Sequence, residues 1–397
     1  MDEQKKKSYF SAAADKLTGS PMFQFLGRAQ EMEKQGKKLY HFEIGDPDFD
    51  TPENIKQAAI VSLREGDTHY ENSSGISNLR EAVAQEVKKT RGFLPTKNQV
   101  VIAPAISFIY FLTLCVADPG DEVIVPDPGF SSYYSAFDFI GVKWVGVPLF
   151  QKNEFRMAPS DIRKAITKKT KLIIINSPQN PTGAVMTKEE IEEVAKIAEE
   201  KNIYLLTDEA YDKMTYDYPH YSAASYDQCK KNTIILNSFS KSYAMTGFRL
   251  GYAVAPEEIA IKLGLMIQTV ISSVPKFIQK AGIEALTGDQ SFIEKSMKEY
   301  RKRRDVMVGL LNEMPGVKCL VPEGAFYVFP NITGTGMTSK KFAEFALEKA
   351  GVVLLPGDLF GEHGKGYVRL VYASSMQVIQ EGLENLKQAL KKRSENL

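Results

Sequence analysis

A single lysine, Lys241, lies among hydroxyl-bearing residues shortly after the apolar run 234–236. An amine at the end of a strand can form a Schiff base with a carbonyl cofactor. Ser238 precedes this lysine and Arg249 follows it, and a hydroxyl together with an arginine fork can hold a phosphate. The combination indicates pyridoxal 5′-phosphate (PLP) as the cofactor, whereas Ser-x-Lys alone would fit an ordinary surface loop.

Two other polar residues follow apolar runs earlier in the chain. Asn180 lies in a turn that contains two prolines and a glycine, and Asp208 directly follows the run 204–207. An asparagine held on such a turn can present its amide to a ligand, and a carboxylate beside a pyridine nitrogen keeps that nitrogen protonated. Taken singly, Asn180 is also typical of a plain turn, and Asp208 of a helix cap.

The elements that position these residues follow from the hydrophobic pattern. Short apolar runs alternate with amphipathic segments, which predicts strands alternating with helices. Several runs are almost continuously Val, Ile and Leu, as in strands buried on both faces. The predicted fold class is α/β, with a mostly parallel seven-stranded sheet, helices on both faces, and a smaller α+β domain. The predicted strands of the sheet are 99–102, 122–125, 143–147, 171–175, 204–207, 233–237 and 251–255.

The last hundred residues differ from the middle, because long charged helical patterns alternate there with brief strands. This change predicts a large domain at 46–290 and a small C-terminal domain at 291–397. Residues 1–45 are expected to form an irregular N-terminal arm that is part of the small domain. Ligands of parallel sheets bind outside the carboxyl ends of the strands, so the polar residues above are expected at one edge. Helices are predicted at 54–64, 79–90, 187–201, 292–313 and 339–349, and the small domain's strands at 326–329 and 367–371.

Composition argues against several other classes of protein. The 397 residues are 43% hydrophobic and 25% charged with a net charge of +1, so no overall field favours nucleic acid. No apolar run is long enough to span a bilayer. The three cysteines and four histidines are scattered, without the spacing of a disulfide framework or a metal site. We therefore expect a cytoplasmic protein that binds no nucleic acid, membrane or metal.

The segment 238–252 resembles the lysine motif of the class I/II aminotransferases, the aspartate aminotransferase-like PLP enzymes of fold type I. The turn 177–183 resembles the Asn-Pro-Thr-Gly signature of that family, and its other motifs occur in order between Gly45 and Arg369. The resemblance implies an aminotransferase that moves an amino group between an amino acid and a 2-oxo acid. Its mechanism would be ping-pong, through aldimine and ketimine intermediates.

The resemblance also implies roles for the catalytic residues. Lys241 would hold the cofactor and shuttle a proton, and Asp208 would pair with the pyridine nitrogen. Tyr211 and Asn180 would bind the 3′ oxygen, and Phe130 would stack on the ring. All five residues lie in segments that match family motifs.

Phosphate and substrate would be bound by further residues that the resemblance identifies. Gly45 would allow a close approach of the substrate carboxylate, which Asn180 would help to bind and Arg369 would clamp. Tyr70 would reach the phosphate of the other subunit, which implies an obligate homodimer with shared active sites. The remaining predicted cofactor-binding residues are Ala105, Ile106, Ser238, Ser240 and Arg249.

One segment departs from the family pattern. Where the family has glycine followed by small and hydroxyl residues, this chain has Pro104, Ala105 and Ile106. Pro104 donates no N–H, and Ser107 is the nearest hydroxyl that could replace the missing one. The departure keeps open a PLP-dependent decarboxylase or lyase on the same fold, acting on an amino acid or its phosphate. A regulatory sensor is a third interpretation, which would need a DNA-binding segment ahead of Gly45.

Overall fold

A computed structural model describes residues 10–15 and 21–395 of the chain. The helices are α1 (Ala12–Asp15), α2 (Pro21–Lys34), α3 (Glu53–Arg64), α4 (Ser77–Arg91), α5 (Ala105–Val116), α6 (Ser131–Ile140), α7 (Pro159–Ala165), α8 (Lys188–Lys201), α9 (Ala224–Asp227), α10 (Phe239–Ser242), α11 (Glu257–Ile271), α12 (Lys276–Thr287), α13 (Ser291–Asn312), α14 (Ser339–Phe345) and α15 (Met376–Glu395). The strands are β1 (Tyr40–His41), β2 (Val100–Ala103), β3 (Glu122–Asp127), β4 (Lys143–Pro148), β5 (Thr170–Asn176), β6 (Tyr204–Asp208), β7 (Thr233–Ser238), β8 (Gly251–Val254), β9 (Tyr327–Val328), β10 (Val352–Val353), β11 (Leu355–Pro356) and β12 (Val368–Val371).

Seven strands form one sheet in the order β2-β8-β7-β6-β5-β3-β4. Its strand pairs are parallel except those of β8, which runs antiparallel to both β2 and β7. The fold class predicted from the sequence is therefore confirmed. The seven observed strands lie where the apolar runs predicted them, with small differences at their ends.

Both faces of this sheet are buried, because successive side chains of a strand point to opposite sides. In β5, Leu172 joins an apolar cluster that contains Phe108 of α5 and Leu263 of α11. Ile173 joins a different cluster with Val194 of α8. Apolar helix faces thus cover the two sides, which explains why the central strands carry almost no polar residues.

A second, three-stranded antiparallel sheet has the order β11-β12-β9. It shares a core with α13 and α15, through side chains such as Met307 and Leu386. Tyr40 and Phe42, from the beginning of the chain, and Tyr211, from its middle, belong to the same core. The division into domains near residue 290 stays a prediction.

The irregular course expected for residues 1–45 is wrong for Pro21–Lys34, which form the helix α2. Proline is favoured as the first residue of a helix, because its missing N–H has no partner there anyway. Strand β1 follows and pairs in parallel with β10. Residues 1–9 and 16–20 of the expected arm lie outside the described residues.

In the part of the chain that the structure describes, no helix combines the length and apolar character needed to cross a membrane. The same residues contain no group of three His, Cys, Asp or Glu side chains placed to hold a metal ion.

Candidate active site

The carboxyl ends of β5, β6 and β7 lie side by side, since Asn176 pairs with Asp208 and Asp208 with Leu236. Asn180 follows β5, and Lys241 lies in α10 directly after β7. A cavity of about 230 Å³ opens at this edge of the sheet. Many of the predicted site residues line it, namely Ala105, Ile106, Phe130, Asn180, Asp208, Tyr211, Ser238, Ser240, Lys241 and Arg249.

A second cavity, of about 540 Å³, adjoins the first and shares Phe130, Asn180 and Lys241 with it. Gly45 and Arg369, the predicted substrate-binding residues, line this larger cavity. We call the two spaces the inner cavity (230 Å³) and the outer cavity (540 Å³).

Tyr70 is the one predicted site residue that lines neither space. Its side chain is 87% exposed and lies on a separate surface cavity beside Ser273 and Lys276. Within one chain, therefore, the structure does not bring Tyr70 to the other site residues.

Asp208 is a buried carboxylate at the floor of the inner cavity. Its Oδ2 accepts a hydrogen bond of 2.5 Å from the Tyr133 hydroxyl, and its Oδ1 accepts one of 3.2 Å from the Ala210 N–H. Burial raises the pKa of Asp208 to about 6. Asp208 forms no ion pair with any side chain of the described residues, so a protonated nitrogen in the cavity would be stabilised beside it.

Tyr133 was not identified from the sequence as a site residue. It is fully buried in α6, and its ring packs edge-on against Phe130 at 5.5 Å between centroids. The available signal was the spacing of three between Phe130 and Tyr133, which places both on one face of a helical turn.

Lys241 projects into both cavities. Its Nζ donates a hydrogen bond of 2.5 Å to the carbonyl oxygen of Gly45. Burial lowers the pKa of Lys241 to about 8, Arg369 and Arg249 add to the lowering, and Asp46 opposes it. A substantial neutral fraction of the amine near neutral pH makes this lysine a competent nucleophile and base.

One end of the inner cavity is suited to an anion. The first N–H groups of α5, those of Ala105 and Ile106, have no partner within the helix and give its N-terminus a partial positive charge. Ser107, the expected replacement hydroxyl, donates its N–H to the Pro104 carbonyl oxygen at 2.9 Å and lies outside the cavity lining. Binding of a phosphate would thus depend on backbone groups at this position.

Arg249 and the serines after β7 complete that end. The Arg249 backbone is in the left-handed region with φ 54°, and its Nη1 donates to the Thr246 carbonyl oxygen at 2.7 Å. The Ser238 hydroxyl accepts from the Ser240 N–H at 3.1 Å. Arg249 forms no ion pair with the described carboxylates, so its charge is available to an anionic ligand.

The buried guanidinium of Arg369 is held in a fixed plane. Its Nη1 donates to Asn180 Oδ1 at 3.0 Å and its Nη2 donates to the Glu43 carbonyl oxygen at 2.5 Å. The rings of Tyr327 and Phe360 lie 4.8 Å from its centre. Its Nε has no hydrogen-bond partner, and none of the described carboxylates pairs with it. An incoming carboxylate would supply the missing acceptor.

Tyr327 is a second residue that sequence reasoning missed. Its hydroxyl lies 2.5 Å from that of Tyr211. A Cβ at Gly45 would lie only 2.3 Å from the same Tyr327 hydroxyl, so any side chain at this position would force the Tyr327 ring to move.

A buried ion network fixes the chain directly behind Asp208. Arg91 Nη2 lies 2.6 Å from Glu209 Oε2 and 2.6 Å from Asp212 Oδ2. Burial alone would raise the pKa of Glu209, but Arg91 outweighs it and the pKa falls to about 2. Because both acids flank Tyr211, the network restrains the segment that carries Asp208 and Tyr211.

Comparisons with known proteins identify the family of the chain. The profile of the family described as aminotransferase class I and II matches residues 37–386. A protein of Pyrococcus horikoshii named aspartate aminotransferase is 43% identical over 98% of both chains. A Thermococcus litoralis protein named aromatic-amino-acid aminotransferase 2 is 42% identical over 88% of this chain and 91% of the relative.

Solved structures give the same result. A structure of the Thermus thermophilus aspartate aminotransferase with maleate matches with a TM-score of 0.92 and 34% identity, over 96% of this chain and 100% of that one. The fold, together with these relatives, defines a transferase enzyme of the α/β class. The chain belongs to the class I and II aminotransferases, as its resemblance predicted.

Proposed function

We propose that this aminotransferase uses PLP and moves an amino group from an amino-acid donor to a 2-oxo acid acceptor. The observation that carries the proposal is the arrangement of Lys241, Asp208 and Arg369 around two adjoining cavities. When bound, PLP supplies an electron sink for the electrons released at the substrate Cα. The names of the relatives, which refer to aspartate and to aromatic amino acids, leave the side chain of the substrate open.

The residues of the inner cavity fit PLP in charge and in hydrogen-bonding capacity. Asp208, buried without a cationic partner, would bind the protonated ring nitrogen. Phe130 offers a flat apolar face to the ring. Tyr211 would donate to the 3′ oxygen together with the Asn180 amide, whose Oδ1 is already engaged by Arg369.

The phosphate would be bound at the opposite end of the inner cavity. The Arg249 guanidinium, the Ser238 and Ser240 hydroxyls, and the free N–H groups at the start of α5 are the donors there. Since Ile106 takes the place of a hydroxyl residue, backbone donors would carry more of the binding than in a cradle rich in hydroxyls.

Proton transfer is the task of Lys241. This residue would hold the cofactor covalently and, once displaced by the donor, would act as a base with a pKa near the working pH. Arg369 would hold the α-carboxylate in its fixed plane. With the carboxylate held there, the Cα–H bond would be the one available to Lys241, which would take the proton while the carboxylate stays on the substrate.

The proposal is tested by a half-reaction with a panel of amino acids. The expected products are the 2-oxo acid and pyridoxamine phosphate, in equal amounts. Stoichiometric carbon dioxide with the corresponding amine would move the protein to the alternative, a decarboxylase. Lys241→Ala should abolish turnover and still bind PLP without a covalent bond, whereas a borohydride-reduced adduct on another lysine would refute the assignment.

We further propose a homodimer with shared active sites. Tyr70 is exposed within one chain, and it is the residue that the family resemblance assigns to the partner's phosphate. Helix α11 also exposes the apolar side chains Ile261, Leu265, Val270 and Ile271, a patch of the kind that a second subunit covers. Sedimentation analysis should show a dimer at micromolar protein concentration. A fully active monomer would contradict the proposal of shared active sites.

A cytoplasmic location is also part of the proposal. Cys115, Cys229 and Cys319 are free thiols in the structure, and unpaired cysteines are typical of a reducing compartment. Cell fractionation followed by detection of the protein tests this location.

A further inference from the structure

We propose that the outer cavity selects amino acids with uncharged, aromatic or large apolar side chains, and that Asp358 acts there as a specificity-determining residue against dicarboxylic acids. This inference rests on the proposed transamination, because it concerns the substrate of the same site.

The charged residues around the outer cavity determine whether it can bind a second substrate carboxylate. Among the described residues that line it, Lys241 and Arg369 are the cations and Asp358 is the carboxylate. Both cations are committed, Lys241 to the reaction and Arg369 to the α-carboxylate. No cationic lining residue is therefore left, within the described part of one chain, to neutralise a second carboxylate.

Asp358 contributes a carboxylate, unpaired among the described residues, to the lining of the outer cavity. Its side chain is exposed and forms no hydrogen bond or ion pair with the described residues. No described cation pairs with its carboxylate, so solvent alone screens its negative charge from the contents of the cavity. A dicarboxylic substrate would bring a like charge toward it, while an uncharged side chain would not.

The position of Asp358 is fixed by the loop that carries it. In that loop the Phe360 carbonyl oxygen accepts hydrogen bonds from the Gly129 N–H at 2.7 Å and from the Tyr134 hydroxyl at 2.8 Å. His363 Nδ1 lies 2.8 Å from Oδ2 of the buried Asp127 at the end of β3. On the other side of Asp358, the Gly357 N–H donates to the Tyr367 carbonyl oxygen at 2.9 Å, so the backbone that carries the carboxylate is held at both ends.

The remaining lining is apolar or neutral. Ile44, Leu355, Leu359 and Phe360 contribute hydrocarbon surface, and Phe130 closes the side toward the inner cavity. Helix α6 adds hydroxyls from Ser131, Ser132 and Ser135. An aromatic side chain would bury its ring against this surface, whereas an ionised carboxylate would lose hydration without gaining a cation.

The test uses the PLP-loaded enzyme and two kinds of probe. The first is kcat/KM for phenylalanine, aspartate and arginine in the half-reaction. The second is calorimetric binding of two acids that cannot react because they lack the amino group, 3-phenylpropionate and succinate. We expect phenylalanine to exceed aspartate, and 3-phenylpropionate to bind more tightly than succinate.

Two variants separate the effect of the Asp358 charge from that of other charges in the same loop. Asp358→Asn should raise the affinity for succinate and the kcat/KM for aspartate by roughly tenfold, as expected for like charges about 12 Å apart near a protein surface, or for closer charges that water screens more strongly. It should leave the binding of 3-phenylpropionate unchanged. Glu362→Gln is the matched control, since Glu362 lies in the same loop, is exposed, pairs with Lys365 and does not line the cavity.

The outcomes separate this inference from the proposed function. If aspartate or arginine is the best donor, or if Asp358→Asn leaves the binding of succinate unchanged, the inference is overturned and transamination stands. If no amino acid yields a 2-oxo acid, the proposed function fails, and the two unreactive acids still decide whether the cavity selects as stated.

Discussion

Replacement of Arg369 by lysine examines how the outer cavity holds an α-carboxylate. The change keeps the positive charge and removes the planar fork. In the structure two terminal nitrogens of Arg369 bind Asn180 and the Glu43 carbonyl oxygen, at 3.0 and 2.5 Å. Each of these nitrogens has a second N–H, so the guanidinium can bind its protein partners and a carboxylate together.

A lysine ammonium has three donors in a tetrahedral arrangement and cannot reproduce this pattern. The variant should lose at least one charge-assisted hydrogen bond to the ligand, a change of about 1.5–3 kcal/mol. That corresponds to a dissociation constant about 10 to 150 times larger, since about 1.4 kcal/mol is a factor of ten. The loss should fall mainly on KM, because the carboxylate is bound in the ground state and the transition state alike.

The assay is calorimetric binding of 3-phenylpropionate, together with half-reaction kinetics for the best donor. Arg304→Lys is the matched control, because Arg304 is as buried as Arg369, with 5% exposure each, and lies over the Tyr216 ring at 4.5 Å. It lines neither cavity and should leave binding unchanged. If Arg369→Lys also leaves the dissociation constant unchanged, or lowers kcat alone, Arg369 does not bind the carboxylate.

Three further predictions concern the inner cavity. Tyr133→Phe removes a donor from Asp208, whose native pKa of about 6 should rise further. The native state then binds a proton that the unfolded state has lost, so the free energy of unfolding decreases as pH rises. Without cofactor, the melting temperature of the variant should therefore lie further below that of the wild type at about pH 8 than at about pH 5. A difference in melting temperature that does not depend on pH would contradict this prediction. Lys241, with its pKa of about 8, should take up PLP faster as pH rises toward about 9, since the neutral amine is the nucleophile; stopped-flow absorbance measures this rate, and a flat profile speaks against it. Asp208→Asn should lower the half-reaction rate by several orders of magnitude, because the ring nitrogen loses its proton. Near-normal activity of this variant would mean that Asp208 acts only as a helix cap.

The sequence predicted the sheet and its polar edge because both depend on local patterns. Strands that are buried on both faces consist of consecutive apolar residues. The residue after each such run lies at the carboxyl edge of a parallel sheet. Asn180, Asp208 and Lys241 were therefore recognisable as neighbours before any coordinates were known. Their assignment to a cofactor came from the resemblance to a family.

What could not be predicted are contacts between residues far apart in the chain. Tyr133 meets Asp208 across 75 positions, and Tyr327 meets Tyr211 across 116. Neither partner carries a pattern that points to the other, since a buried tyrosine is equally typical of an ordinary core. Helix α2 is a different case, because its sequence does carry a local signal: proline is favoured as the first residue of a helix, and Pro21 occupies that position.

The pairing of β1 with β10 has a consequence for how the protein is made. Tyr40 and Phe42 leave the ribosome early, whereas Val352 and the core around α15 emerge near the end of synthesis. During most of translation the nascent chain therefore exposes a strand edge and two aromatic rings that nothing yet covers. Such an edge can pair with a neighbouring chain. A stop of translation before Val352 would leave it open permanently, so shortened products should aggregate even when the seven-stranded sheet is complete.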